Sequence, residues 1–180
     1  MRCFIAIDMP KEVREDIARI QDELPSARMK KVDAGKAHMT LKFLGELDRK
    51  EIGDVEEGIR KIKANSFKVK TREIGVFRPE FIKVVWLGIE SEGGKLKELN
   101  SRIEESVENI VSKDERDFKP HVSLARVKNL KGMDRKEFLD KIKKIENKTH
   151  TFEVKRIKLK KSELRRTGPE YEDIFVKDLD

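Results

Sequence analysis

Apolar positions along the chain keep two rhythms, a period of two and a period of three to four, and the rhythms alternate. Arg2-Cys3-Phe4-Ile5-Ala6-Ile7-Asp8 is a short apolar run bounded by charges, which predicts a buried strand over residues 2 to 8. Val13, Ile17, Ile20 and Leu24 then fall at helical spacing behind Pro10, whose fixed φ suits a first turn. Alternation returns from about 37 to 44. Ile52, Val55, Ile59 and Ile62 stripe a second helix that Asp48 is placed to cap, and Phe67-Lys68-Val69-Lys70 opens another strand.

The same order then recurs. Ile82-Lys83-Val84-Val85-Trp86-Leu87 predicts a strand, and Leu96, Leu99, Ile103, Val107 and Ile110 predict a helix behind the Gly93-Gly94 break. A strand from His121, a helix carrying Phe138, Ile142 and Ile145, and a strand beginning Phe152-Glu153-Val154-Lys155 follow. His38 and His121 stand 83 residues apart, and the Phe-x-Val-Lys seeds at Phe67 and Phe152 stand 85 apart. These offsets imply an internal duplication, approximately 1–76 and 81–160, followed by a C-terminal strand from Asp173 to Lys177. A strand-helix-strand-helix-strand unit used twice predicts an α+β fold: one bilobal domain over 1–180, with two pseudo-twofold-related lobes. Mainly antiparallel sheets would line a central cleft, with helices outside. Apolar parity reverses between Phe152/Val154 and Ile157/Leu159, which predicts a bulge around Lys155-Arg156.

Chemistry concentrates on two of these strands. The chain has three histidines, and two of them open the matching tripeptides His38-Met39-Thr40 and His121-Val122-Ser123. Alternate strand residues share a face, so His38 stands beside Thr40 and His121 beside Ser123, while Met39, Leu41, Val122 and Leu124 point into a core. One strand histidine is ordinarily structural; recurrence at equivalent positions of a repeat is what marks these as a site. Two such units face to face supply an acid, a base and two hydroxyl donors, sufficient for metal-free chemistry on a phosphate ester. Catalytic zinc generally takes three protein ligands, and the sequence offers neither His-x-x-x-His nor a cysteine pair, so neither metal nor cofactor is expected. His150, between Thr149 and Thr151, lacks the following apolar pattern and is expected to be exposed at a strand edge.

Charge widens the picture only slightly. Charged residues make up 43% of the chain and the formal net charge is +7, which favours an anionic partner, although Lys/Glu abundance also accompanies adaptation to heat. Cys3 has no disulfide partner and reads as a strand residue. No stretch resembles a signal peptide or approaches membrane-spanning length, and no apolar patch suggests a dimer. The expectation is a cytoplasmic monomer without a membrane partner.

The motifs and their flanks resemble a known family. Phe4-Ile5-Ala6-Ile7, His38-Met39-Thr40-Leu41-Lys42-Phe43-Leu44-Gly45 and Lys119-Pro120-His121-Val122-Ser123-Leu124-Ala125-Arg126 are its strongest stretches. Val84-Val85-Trp86-Leu87-Gly88, Leu159-Lys160-Lys161-Ser162-Glu163-Leu164 and Gly168-Pro169-Glu170-Tyr171 extend it over nearly the whole chain. Together they resemble the two-histidine (2H) phosphoesterases, and among these the RNA 2′,3′-cyclic phosphodiesterases, historically called 2′-5′ RNA ligases. The resemblance implies hydrolysis of a terminal 2′,3′-cyclic phosphodiester to a 2′-phosphomonoester, with His38 as proton donor and His121 as proton acceptor. Thr40 and Ser123 would hold the non-bridging oxygens. It also implies an RNA partner, including tRNA halves, and a reversible 2′-5′ ligation in which a 5′ hydroxyl replaces water. Ser123 stands where threonine is commoner, and Met29-Lys30-Lys31-Val32 stands where relatives often carry tryptophan.

Three further residues are candidates for gripping substrate. Arg126 lies an odd step from Ser123 and reaches the cleft only if its strand twists or bulges; the resemblance makes it a phosphate contact, and the competing reading is a structural ion pair. Lys42 shares the face of His38 at i+4 and is read as a phosphate contact or a solvated strand end. Tyr171 is placed to stack on a base beyond the basic stretch Lys158, Lys160, Lys161, Arg165 and Arg166, itself read as an RNA clamp or a solvated hairpin. Competing functions are a phosphodiesterase for small cyclic nucleotides or 2′-5′ oligonucleotides, and a non-catalytic RNA- or nucleotide-binding module.

Overall fold

The computed structural model describes residues 1–25, 28–130 and 134–180. Its first half holds β1 (Arg2–Asp8), α1 (Lys11–Glu23), β2 (Arg28–Lys31), β3 (His38–Glu46), α2 (Arg49–Arg60) and β4 (Phe67–Val76). The second holds β5 (Val84–Ser91), α3 (Lys95–Val107), β6 (His121–Asn129), α4 (Arg135–Lys143), β7 (Thr151–Val154), β8 (Arg156–Arg165) and β9 (Gly168–Asp178). Local chemistry starts α2 where the sequence places it. The Asp48 carboxylate accepts from the Glu51 backbone N–H and the Glu51 carboxylate accepts from that of Asp48, a capping box whose loss costs about 1 kcal/mol. β2 carries no sequence signal, because Arg-Met-Lys-Lys reads as a charged linker. It forms because β6 presents an edge to it, with Met29 opposite Val127 and Lys30 opposite Arg126.

All the strand pairs are antiparallel and join one sheet in the order β7-β4-β5-β6-β3-β1-β8-β9, with β2 paired to β6. The order reads symmetrically outward from the β6–β3 seam, in keeping with the α+β, two-lobe expectation. The lobes, however, are not the sequence halves. β4 of the first half pairs with β5 of the second, and β8 of the second pairs with β1 of the first. Each lobe therefore contains strands from both halves.

This exchange corrects two expectations. The Phe67 and Phe152 segments are not equivalent strands of separate units; they pair with one another, Phe67 opposite Val154. The parity reversal near Lys155-Arg156 is a change of lobe and not a bulge. β7 ends at Val154 on β4, and β8 begins at Arg156 between β1 and β9, so the chain turns a different face inward. The last strand also begins at Gly168, earlier than Asp173, because the whole of β8 offers it a partner.

Helices cover one face of the sheet. α1 packs on β6, α3 on β3 and β5, α4 on β4, and α2 on α3. The first helix of each half thus covers the histidine strand of the other half. Met39, Leu41, Val122 and Leu124 enter the same buried core as Ile17, Ile20, Leu96 and Leu99, each such side chain contributing roughly 1.5–3 kcal/mol of burial. With that face sealed, the opposite face of the histidine strands is left to form a cleft. Among the described residues, no helix is long and apolar enough to cross a membrane.

Candidate active site

β3 and β6 meet at one bridge, Met39 opposite Val122. In an antiparallel pair that register sets His38 across from Ser123 and Thr40 across from His121, so each imidazole faces the hydroxyl of the other motif. The strands then part, β2 taking the edge of β6 beyond the motif and β1 flanking β3. His38, Thr40, His121 and Ser123 all line a single open cleft at this seam.

Both imidazoles are held alike. His38 Nδ1 lies 2.8 Å from the Lys36 carbonyl and His121 Nδ1 lies 2.7 Å from the Lys119 carbonyl. A carbonyl only accepts, so Nδ1 carries the hydrogen and Nε2 is the nitrogen that gains or loses a proton. Burial pushes both rings below the ordinary histidine value against the opposing pull of these carbonyls; at His38, nearby Lys160 adds to the lowering and Asp8 opposes it.

Their aromatic supports differ. His38 packs against Phe4, centroid to centroid at 5.0 Å, and takes the edge of Tyr171 at 5.0 Å. His121 meets Phe77 edge-on at 4.7 Å, and Phe77 leans on Trp86 at 5.4 Å. The indole lies over Gly75, where a Cβ would come within 2.6 Å of the ring, so that close approach requires glycine.

A matched irregularity follows each motif. Ala6 opposes Thr40 but Ile5 opposes Lys42, leaving Leu41 as an extra residue; Trp86 opposes Ser123 but Val85 opposes Ala125, leaving Leu124 extra. Both members of Leu41-Lys42 and of Leu124-Ala125 are consequently buried, and side-chain parity flips. The bulge is the condition under which Arg126 reaches the cleft, and Arg126 is exposed on the cleft wall. In the other strand the same flip brings Phe43 to the equivalent position.

The bulge sends Lys42 the other way. Its ammonium is fully buried, 2.9 Å from the Glu104 carboxylate and 3.2 Å from that of Asp114, and it donates to the Ser112 carbonyl at 2.9 Å. Lys42 is therefore neither a phosphate-facing cation nor a solvated strand end, but a tie between β3, α3 and the segment leading to His121.

Two residues invisible to sequence reasoning stabilise the bulges. The Gln21 carboxamide on α1 donates to the Leu124 carbonyl at 2.9 Å and to the Val32 carbonyl at 2.6 Å. The Asn100 carboxamide on α3 donates to the Leu41 carbonyl at 2.8 Å. Each helix thus reaches the bulged carbonyl of the other half. The only sequence signal is an amide at a polar position of an amphipathic helix, which periodicity assigns to solvent.

Tyr171 reaches the cleft, though its ring edge is taken by His38. Burial pushes its phenol above the ordinary tyrosine value, against the opposing pull of Arg126 and Arg2, which line the same cleft. The basic stretch is not a free clamp. Lys158 and Lys160 lie between Asp8 and Asp173 at 2.6–2.9 Å, Lys161 pairs with Glu163 and Glu172, and Arg165 pairs with Glu163 and Glu170. β9 supplies most of these carboxylates by register, which the sequence alone does not set. His150, expected to be exposed, is half-buried with Nε2 3.3 Å from Asp16, a carboxylate also paired with Arg19.

A curled antiparallel sheet carrying paired histidine-hydroxyl motifs on an open cleft defines a phosphoesterase of the two-histidine class. The chain belongs to the LigT-like phosphoesterase family, whose model matches twice, over residues 7–86 and 87–171. It is 37% identical over 179 residues to the RNA 2′,3′-cyclic phosphodiesterase of Methanocaldococcus jannaschii, covering 97% of this chain and 98% of that one. It is 31% identical to the enzyme of the same name from Archaeoglobus fulgidus, covering 98% and 99%. Among solved structures, TT0787 of Thermus thermophilus is similar with a TM-score of 0.79 at 26% identity, covering 99% of this chain and 98% of that one. E. coli LigT complexed with 3′-AMP shares the fold with a TM-score of 0.81 at 23% identity, covering 99% and 97%.

Proposed function

We propose that the protein hydrolyses the 2′,3′-cyclic phosphodiester at an RNA end to a 2′-phosphomonoester. The observation that carries this reading is the twofold use of one device: each histidine pinned at Nδ1 by a carbonyl two residues upstream, beside a hydroxyl, at the seam of the cleft. His121 Nε2 takes a proton from water as its oxygen bonds to phosphorus. His38 Nε2 gives a proton to the ribose 3′ oxygen as the P–O3′ bond breaks. Thr40, Ser123 and Arg126 donate to the non-bridging oxygens, where charge builds in the transition state. With a 5′ hydroxyl in place of water, the same course joins RNA ends through a 2′-5′ bond: the 5′ oxygen bonds to phosphorus as it gives its proton to His121, and the P–O3′ bond breaks as His38 protonates the 3′ oxygen.

A polymeric substrate is supported by the rim of the cleft. Arg2, Lys30, Arg78, Arg116, Lys119 and Arg126 line it and have no carboxylate partner among the described residues. Phosphate contacts by such groups make affinity fall with salt. The first test incubates EDTA-treated protein with a short RNA ending in a 2′,3′-cyclic phosphate and identifies the product isomer. A 2′-phosphate formed by the wild type, and lost by about 10²-fold or more in His38→Ala and in His121→Ala, is the expected result. Turnover that survives either substitution would overturn the paired acid-base reading, and RNA binding without turnover would favour a binding module. A matched pair of tRNA halves in the same assay tests ligation.

A further inference from the structure

The two histidines share one backbone device, a carbonyl two residues upstream on Nδ1, yet the proposed reaction needs them in opposite states, His38 with a second proton and His121 without. The motifs alone do not make that distinction. It enters from the flanking strands. β1 sets Asp8 opposite His38, whereas β5 sets Gly88 opposite His121. In the same two registers Ala6 opposes Thr40 and Trp86 opposes Ser123, and the next strand out sets Lys158 against Ala6 but Gly75 against Trp86. His38 therefore has a charged flank, and His121 a flank of glycines and aromatic rings.

The charges beside His38 form a closed ring. The Lys158 ammonium lies 2.7 Å from the Asp8 carboxylate and 2.6 Å from that of Asp173; the Lys160 ammonium lies 2.9 Å from Asp8 and 2.6 Å from Asp173. Each carboxylate spans both lysines, so two positive and two negative charges cancel. Opposite residues of a strand pair share a face, which puts the Asp8 carboxylate and the His38 imidazole on the same side of the sheet. Lys158 and Lys160 hold the Asp8 carboxyl below the usual carboxylate range, although burial works the other way. At His38 the ring acts with both signs, Lys160 against the imidazolium and Asp8 for it. The other charged or titratable groups around His38 are Lys36, whose ammonium donates to the Pro169 carbonyl at 3.3 Å, Tyr171 at the ring edge, His121 across the seam, and Arg2 and Arg126 in the same cleft.

We propose that Asp8 and Lys160 are positioning residues that set the proton affinity of His38 separately from that of His121, so that the donor is tuned by charges that the acceptor lacks. The proposal rests on the acid-base reading above and deepens it. While the ring is whole its charges balance. Loss of one member leaves a single uncompensated charge beside the His38 imidazole and none beside His121.

The test follows the histidine Cε1 protons of the free protein against pH by NMR. The chain has three histidines, and the signal lost in His38→Gln and the one lost in His121→Gln assign the two that matter. Asp8→Asn is expected to move the His38 midpoint to lower pH, because Lys160 is left unbalanced, and Lys160→Met to move it to higher pH, because Asp8 is. The double variant, neutral again, is expected to return it toward the wild-type midpoint, with His121 keeping its own throughout. A His38 midpoint that stays fixed, that moves the same way in both single variants, or that His121 follows equally overturns the proposal, since a loosened fold would carry both histidines together. The titration needs no turnover: opposite shifts at His38 in a protein that hydrolyses no cyclic phosphate would sink the activity reading and leave the control of His38 standing.

Discussion

At the scale of single residues, the site turns on which ring nitrogen titrates and in what range. The Lys36 and Lys119 carbonyls hold a hydrogen on each Nδ1, and burial disfavours the charge that protonation of Nε2 creates. Both free-enzyme values are therefore below the ordinary value of about 6.5, and the bell-shaped profile of kcat/KM, which reports the free enzyme, is expected to centre on the acid side of it. An anionic phosphate between the rings favours imidazolium, so the kcat profile, which reports the complex, is expected at higher pH. Coincident profiles, with chemistry shown to be the slow step, would contradict this. The sign for stability follows from the same shift. Between the folded values and about 6.5 the unfolded chain binds more protons, so the contribution of these rings is lost as pH falls below 6.5. Lys42 shows how little separates residue types at this scale: one extra residue in β3 sends a lysine into a buried pair with Glu104 and puts Phe43 on the cleft wall.

At the scale of elements, the matched bulges re-aim the side chain five positions after each histidine, and the carboxamides of α1 and α3 hold them. The Leu41 carbonyl takes its bond from Asn100; the Leu124 carbonyl takes one from Gln21 and another from the Val32 N–H. Asn100→Leu and Gln21→Leu each withdraw a donor from buried backbone, so each is expected to lower stability by about 1–3 kcal/mol, read as a drop in the denaturant midpoint at constant slope. Gln21→Leu should in addition raise KM more than it lowers kcat, because relaxing the Leu124 bulge displaces Arg126 without touching His121. A stability loss with unchanged KM would make Gln21 merely structural. Much at this scale was legible in advance. The alternation and stripes located β1, β3, α2 and β6, and Asp48 marked a cap. β2 was hidden because four mostly charged residues become a strand only when a neighbour offers them an edge.

At the scale of the whole molecule, the repeat in sequence and the lobes in space differ. β4 and β8 change sides, so β1 and β5 each take a neighbour from the other half. Residues 1–76 expressed alone are expected to be unfolded by circular dichroism and to regain structure on mixing with 77–180; an independently folded 1–76 would show the exchange to be dispensable. The sequence by itself determined the α+β class, the twofold repeat, and the pairing of His38 with Thr40 and of His121 with Ser123. These depend on periodicity and on the two-residue repeat of a strand, which are local properties. Only the tertiary structure decided that Phe43 and Arg126 face the cleft, that Lys42 does not, and that Lys158 and Lys160 are neutralised by Asp8 and Asp173. Those outcomes depend on register, bulges and strand exchange, which are settled by packing between segments far apart in the chain.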